Sequence, residues 1–153
     1  MDTQGPPSTV SKRWAELIED CSETGTAYQS NDWEVVIVDS GDVSTITNEP
    51  IGLDVLAPSK QVEELESVTQ SVSFDTSHVY RADEQNIRFY MIIVESHTSN
   101  VAVIIPAFIE HSDLHELELL AAEDGHMYTH IRPLSDDTRV TFAHEDYSIF
   151  FES

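Results

Sequence analysis

The chain has 153 residues and carries 7 Lys plus Arg against 29 Asp plus Glu, so its formal net charge at pH 7 is −22. Because 40% of the residues are hydrophobic and fall in organised blocks, this charge does not indicate a disordered chain. The scarcity of Lys and Arg argues against a nucleic-acid partner, whose phosphates basic side chains would have to neutralise.

The chain begins with a tail, a helix and a strand. Residues 1–9 contain two prolines and no periodic pattern, which predicts a flexible N-terminal tail before a single domain at residues 10–153. Apolar residues then recur at helical spacing, which predicts an amphipathic helix at about 11–26. Its apolar stripe contains Cys21, which we interpret as a core residue and not as a nucleophile. A strand at 33–38 follows.

The next elements are a turn at 40–42, an extended segment at 51–58 and a second helix at about 60–70. The segment at about 75–109 is typical of an antiparallel meander of three strands separated by polar turns. Both faces of its second strand, residues 87–94, are apolar, so helices or a partner subunit should cover each side.

A third helix at about 113–123, strands at 126–132 and 138–144, and an apolar end complete the chain. These elements predict an α+β fold with a largely antiparallel sheet. The apolar end holds four large hydrophobic residues, Tyr147, Ile149, Phe150 and Phe151. Chain ends are usually polar, so this segment either folds back as an edge strand or contacts another subunit. We therefore expect a homodimer or a protein partner.

Four of the seven histidines lie within residues 111–130. Two histidines four residues apart lie side by side on one face only when both are helical. A capping box that begins at Asp113 places His111 outside the third helix, so the spacing of His111 and His115 does not predict a shared site. On a strand, His126 and His130 would share a face at a separation of about 13 Å, whereas Zn–N bonds are about 2.0–2.1 Å long. We therefore predict no metal site.

The chain has no H-E-x-x-H, C-x-x-C, Gly-rich phosphate loop or G-x-S-x-G motif. Candidates for a catalytic site are His130, His144 and Glu145. Arg132 shares a strand face with Tyr128 and His130, and its guanidinium could bind an anion through bidentate contacts. The alternative role for Arg132 is a structural ion pair. No pattern in the chain implies an organic cofactor.

The dense acidic charge suits two settings. The first is concentrated salt: at 1 M the Debye length falls to about 3 Å, so carboxylates stay hydrated without strong mutual repulsion. The second is binding to a basic partner. With only two lysines, the chain fits the first setting, the cytoplasm of a halophile. The N-terminus lacks a signal-peptide core, and the longest apolar run, residues 101–109, is shorter than the ~20 residues of a membrane span. We expect no membrane association.

Four segments, DWEVVIVDSGDV, GLDVLAP, YTHIRPL and FAHEDYSIFF, resemble the recurring segments of an uncharacterised family of haloarchaeal proteins. The resemblance covers the chain from Trp14 onward. It implies a halophilic, cytoplasmic setting and carries no activity, cofactor or catalytic residue.

Two functions follow as hypotheses. The first is a non-enzymatic binding or regulatory protein that acts through self-association or a protein partner. The second is a small hydrolase or transferase that uses His130, His144, Glu145 and Arg132, which requires those side chains to converge in one pocket.

Overall fold

The computed structural model describes residues 11–48, 50–135 and 138–152, and the predicted tail at 1–9 lies outside them. The described part of the chain forms three α-helices, eight strands and a C-terminal 3₁₀-helix. Their bounds are α1 Ser11–Gln29, β1 Glu34–Ile37, β2 Val43–Ile46, β3 Gly52–Leu56, α2 Ser59–Ser71, β4 Thr76–Glu84, β5 Ile87–Ser96, β6 Val101–Glu110, α3 His111–Asp124, β7 Met127–Arg132, β8 Val140–His144 and the 3₁₀-helix Tyr147–Phe150.

The strands form two mixed sheets of four strands each. Sheet A has the order β1-β6-β5-β4, in which β1 runs parallel to β6 and the other pairs are antiparallel. Sheet B has the order β2-β3-β7-β8, in which only the β3–β7 pair is parallel. The α+β class, the three helices and the β4-β5-β6 meander are thus confirmed, although the strands divide between two sheets.

One face of sheet A packs on α1. Leu17 and Cys21 of α1 are buried against Phe89 and Ile93 of β5. Alternate residues of β5 point the other way into the main core, so the prediction that both faces of this strand are covered is confirmed. Burial also raises the pKa of the Cys21 thiol to about 12, which opposes a role as a reactive thiolate.

The main core collects apolar side chains from the other face of sheet A, from sheet B, and from α2 and α3. Each contributing element supplies fully buried members, such as Leu53, Leu65, Tyr90, Leu117 and Phe150. The Tyr90 hydroxyl donates a hydrogen bond of 3.0 Å to the carbonyl oxygen of Phe150, which fastens the chain end to β5.

The apolar C-terminal segment therefore folds back on its own chain, as a 3₁₀-helix and not as an edge strand. Phe150 is buried in the main core, and Phe151 packs against it half-buried. The homodimer was expected because both faces of β5 are apolar and the chain end is apolar. Both features are covered within one chain, and self-association stays a prediction.

Two elements differ from the sequence prediction. Helix α3 begins at His111 and not at Asp113, because β6 runs directly into the helix. Its N-cap is Glu110, which has an extended backbone and makes no capping hydrogen bond through its side chain. Strand β2 was not predicted, since four residues of mixed polarity give little periodic signal. This strand follows directly after the segment at 40–42 that was predicted as a turn, and it pairs with β3.

Sheet B contains one position that only glycine can occupy. A Cβ atom on Gly52, at the start of β3, would overlap the backbone carbonyl oxygen of Tyr128 on β7. The backbones of β3 and β7 approach closely here, and the N–H of Tyr128 donates to the carbonyl oxygen of Ile51 at 2.9 Å.

Candidate functional site

A cleft of about 750 Å³ is bordered by edge strands of both sheets. Strands β4 and β8 are the last strands of sheets A and B within the described residues, and both contribute to its walls. Other walls come from the end of α2, the segment before β4 and the residues around the 3₁₀-helix. The volume lies within the range of roughly 300–1,000 Å³ that is usual for ligand sites.

The cleft lining combines apolar and acidic side chains. Mostly buried and half-buried residues supply the apolar part, with the rings of Phe74 and Phe142 packed edge to face at 5.3 Å. The charged residues that line the described cleft are all acids, Asp75, Glu145 and Asp146, and all three are exposed. The site therefore has an apolar interior and a negative rim.

Backbone groups add to this chemistry. An end strand presents N–H and C=O groups on its outer side that no neighbouring strand pairs. Strands β4 and β8 both border the cleft, so two such edges adjoin it. The lining residues Thr76, Ser77 and Thr141 carry hydroxyls that are in hydrogen-bond contact with Asp75, His144 and His130.

A buried histidine lies behind one of these hydroxyls. The Ser77 hydroxyl is 2.8 Å from Nδ1 of His144, and the Thr129 hydroxyl is 2.8 Å from Nε2 of the same ring. The ring also packs edge to face on Phe150 at 5.0 Å. Both ring nitrogens thus have a partner, and the imidazole joins β4, β7 and β8 at the inner end of the cleft.

Burial sets the protonation state of His144. Only 1% of the residue is exposed, and desolvation lowers its pKa from 6.5 to about 4. A neutral imidazole has one donor and one acceptor nitrogen, which two hydroxyl groups can satisfy. His144 is therefore uncharged at neutral pH and connects the two sheets through hydrogen bonds.

The other histidine named from the sequence lies on the opposite face of sheet B. His130 is opposite Thr141 and His144 is opposite Met127 in the β7–β8 register, so the two imidazoles point to different faces. Nδ1 of His130 is 2.9 Å from the Thr141 hydroxyl, and its Nε2 is 3.2 Å from the carbonyl oxygen of Pro50. Burial lowers the pKa of His130 as well.

Arg132 and Tyr128 share that face with His130, as the strand spacing predicts. The rings of Tyr128 and His130 stack at 6.2 Å. Nε of Arg132 donates a hydrogen bond of 2.7 Å to Oδ2 of the nearly buried Asp54. This ion pair is the alternative role considered for Arg132, and anion binding there stays a prediction.

The candidate residues therefore fall into two groups. Glu145 lies on the rim of the cleft, with His144 at its inner end. Tyr128, His130 and Arg132 lie on the opposite face of sheet B. The structure does not bring the two groups together in one pocket.

The clustered histidines are also separated by the fold. His111 is the first residue of α3, so the prediction that it lies outside the helix was wrong. Its Nε2 is 2.8 Å from Oδ1 of Asp83, the far end of β4. Within the described residues, no group of three or more His, Cys, Asp or Glu side chains is placed to hold a metal ion.

A second cluster of ionisable side chains, centred on Glu95, was not predicted from the sequence. Glu95, at the end of β5, is nearly buried, and its Oε1 is 3.1 Å from Nε2 of His78 and 3.2 Å from Nε2 of His97. The Tyr28 hydroxyl donates to its other oxygen. Glu95 and His97 are two residues apart at a strand end, a spacing that places them on one face. That His78 joins them depends on the β4–β5 register.

None of the helices in the described part of the chain is both long and apolar enough to cross a membrane. A comparison with protein-family models matches residues 3–152 to a family of unknown function, DUF7529. Comparisons with curated proteins and with solved structures gave no match. The matched residues span nearly the whole chain, which agrees with the resemblance to an uncharacterised family. The chain belongs to the DUF7529 family of unknown function.

Proposed function

We propose that this chain is a non-enzymatic binding protein that holds an extended, positively charged segment of a partner protein in the cleft between β4 and β8. The observation that carries this proposal is the composition of the cleft, whose charged lining residues are, among those that the structure describes, all acids around an apolar interior. Charge complementarity of this kind favours a basic partner and rejects acidic ones.

The two strand edges suit an extended segment. A peptide that runs along a sheet edge gains main-chain hydrogen bonds, and its side chains point alternately to opposite sides. One set would pack on Phe74 and Phe142, and the other would reach the carboxylates of Asp75 and Glu145. A segment of alternating apolar and basic residues fits both requirements.

A hydrolase at the same cleft has one supporting observation, the 2.8 Å contact between the Ser77 hydroxyl and His144. A general base works best when its pKa lies near the operating pH, and the pKa of His144 is about 4. The described contacts of this imidazole are two hydroxyls and an aromatic ring, with no carboxylate to stabilise an imidazolium. Binding is therefore the better supported function.

The proposed setting is the cytoplasm of a halophile. The net charge of −22 and the presence of only two lysines support it, because molar salt screens the repulsion among the 29 acids. The cleft would then operate at high ionic strength, where apolar packing and backbone hydrogen bonds contribute more to binding than long-range attraction.

A fluorescent octapeptide of alternating valine and lysine tests the proposal by anisotropy in molar KCl. We expect saturable binding that weakens at least about tenfold, or 1.4 kcal/mol, when glutamate replaces lysine. A third peptide keeps the lysines and replaces valine by proline, which removes strand N–H groups without changing the charge. Equal binding of both basic peptides would show non-specific attraction to the acidic surface and would contradict the proposal.

A further inference from the structure

His97 lies between two carboxylates. Its Nδ1 is 3.0 Å from Oδ1 of Asp75, and its Nε2 is 3.2 Å from Oε1 of Glu95. Ionised carboxylates only accept hydrogen bonds, and a neutral imidazole has a single N–H. The Nδ1 contact is a hydrogen bond and the Nε2 contact is an ion-pair distance, so two carboxylates within 3.2 Å of the ring favour the imidazolium form of His97.

The groups that face His97 come from several elements. Glu95 also receives the Tyr28 hydroxyl of α1 and lies 3.1 Å from the half-exposed imidazole of His78 on β4. Trp33, just before β1, packs edge to face on the His97 ring at 5.6 Å. Asp75 and Glu95 are the charged groups that act on His97.

Asp75 links this cluster to the cleft. It lines the cleft, and it also accepts hydrogen bonds from the His97 backbone N–H at 3.2 Å and from the Thr76 hydroxyl at 2.8 Å. A change in the charge of His97 therefore acts on a carboxylate that the proposed partner segment would meet.

The direction of the two titrations agrees with this geometry. The hydrogen bond to Asp75 is the main cause that raises the pKa of His97 above 6.5, and the same bond lowers the pKa of Asp75 below 3.8. The ion pair is complete between these two values. It is lost in acid when Asp75 takes a proton, and in base when the pH passes the raised pKa of His97.

We propose that His97 is a pH-sensitive clamp that regulates the cleft. Protonated His97 neutralises Asp75 and fixes it at the cleft wall. Once His97 loses its proton, Asp75 presents its full charge to the cleft, and a basic segment binds more tightly. This regulation rests on the proposed function, because it needs a basic occupant of the cleft.

The clamp itself is tested in the free protein by following the His97 ring signals by NMR as a function of pH. We expect the titration midpoint of His97 to fall in Asp75→Asn, because the amide no longer stabilises the imidazolium. Asp113→Asn, which removes an exposed acid on α3, is the matched control and should leave the midpoint in place. An unchanged midpoint in Asp75→Asn would overturn the clamp.

The coupling is tested by the affinity for the valine–lysine octapeptide at pH values below and above that midpoint, at constant molar KCl. The wild-type protein should gain affinity on the alkaline side, and His97→Gln should lose most of that gain. His115→Gln, which removes an exposed imidazole on α3, should keep it. The same gain in the wild type and in His97→Gln would overturn the regulation. A peptide that binds at no pH would contradict the proposed function, whereas the NMR titration judges the clamp by itself.

Discussion

Replacement of the buried His144 by glutamine should change how the stability of the protein depends on pH. The unfolded chain binds a proton at this residue near pH 6.5, whereas the folded protein does so near pH 4. The unfolded state therefore holds more protons between these values, and stability falls as the pH drops through this window. At 1.36 kcal/mol per pKa unit, the shift corresponds to about 3 kcal/mol of stability that is present above pH 6.5 and lost by pH 4.

Urea unfolding in molar KCl, followed by circular dichroism between about pH 7 and pH 4, measures this contribution. Glutamine keeps one donor and one acceptor for the hydroxyls of Ser77 and Thr129. We expect His144→Gln to be less sensitive to acid than the wild type by about 3 kcal/mol. His115→Gln, which removes an exposed histidine, is the control for the loss of any imidazole. If His144→Gln loses as much stability as the wild type over this range, the imidazole is not held neutral by burial.

Three further outcomes are expected. Because 29 acids repel one another when unscreened, dialysis from molar KCl to dilute buffer should reduce the helical and near-ultraviolet signals, and unchanged stability in dilute buffer would contradict the halophilic setting. Gly52→Ala should unfold the protein or lower its stability by several kcal/mol, since the new Cβ meets the Tyr128 carbonyl, and a near-normal melting temperature would show that β3 and β7 can separate. The homodimer is tested by light scattering in high salt, where a mass of one chain, 17.2 kDa, would rule it out.

Much of the fold could be predicted from local patterns. Helical spacing located all three helices, and the apolar runs separated by polar turns located the meander, because these signals are contained within short windows. The division into two sheets could not be predicted, since it depends on β1 joining β6 and β3 joining β7 across long stretches of chain. The start of α3 was missed because a strand continues into the helix without a loop.

The candidate site was predictable only in part. His144 and Glu145 were named from the sequence because they combine a base with a carboxylate, but Ser77 carries no signal of its own and meets His144 through packing of the two sheets. The contact between His78 and Glu95 likewise depends on strand register. In a chain with 29 acids, most histidines have an acid nearby in the sequence. Proximity in the sequence therefore does not show which histidine and carboxylate pair in the fold.

The central claim, that the cleft between β4 and β8 binds a basic segment, is tested most directly by reversing one charge on its rim. Glu145→Lys changes an exposed residue of the cleft, and Glu63→Lys makes the same change on the exposed face of α2. Anisotropy with the valine–lysine octapeptide in molar KCl should show about threefold weaker binding, or ~0.7 kcal/mol, for Glu145→Lys and nearly wild-type binding for Glu63→Lys. Equal affinities of the two variants would contradict binding in the cleft.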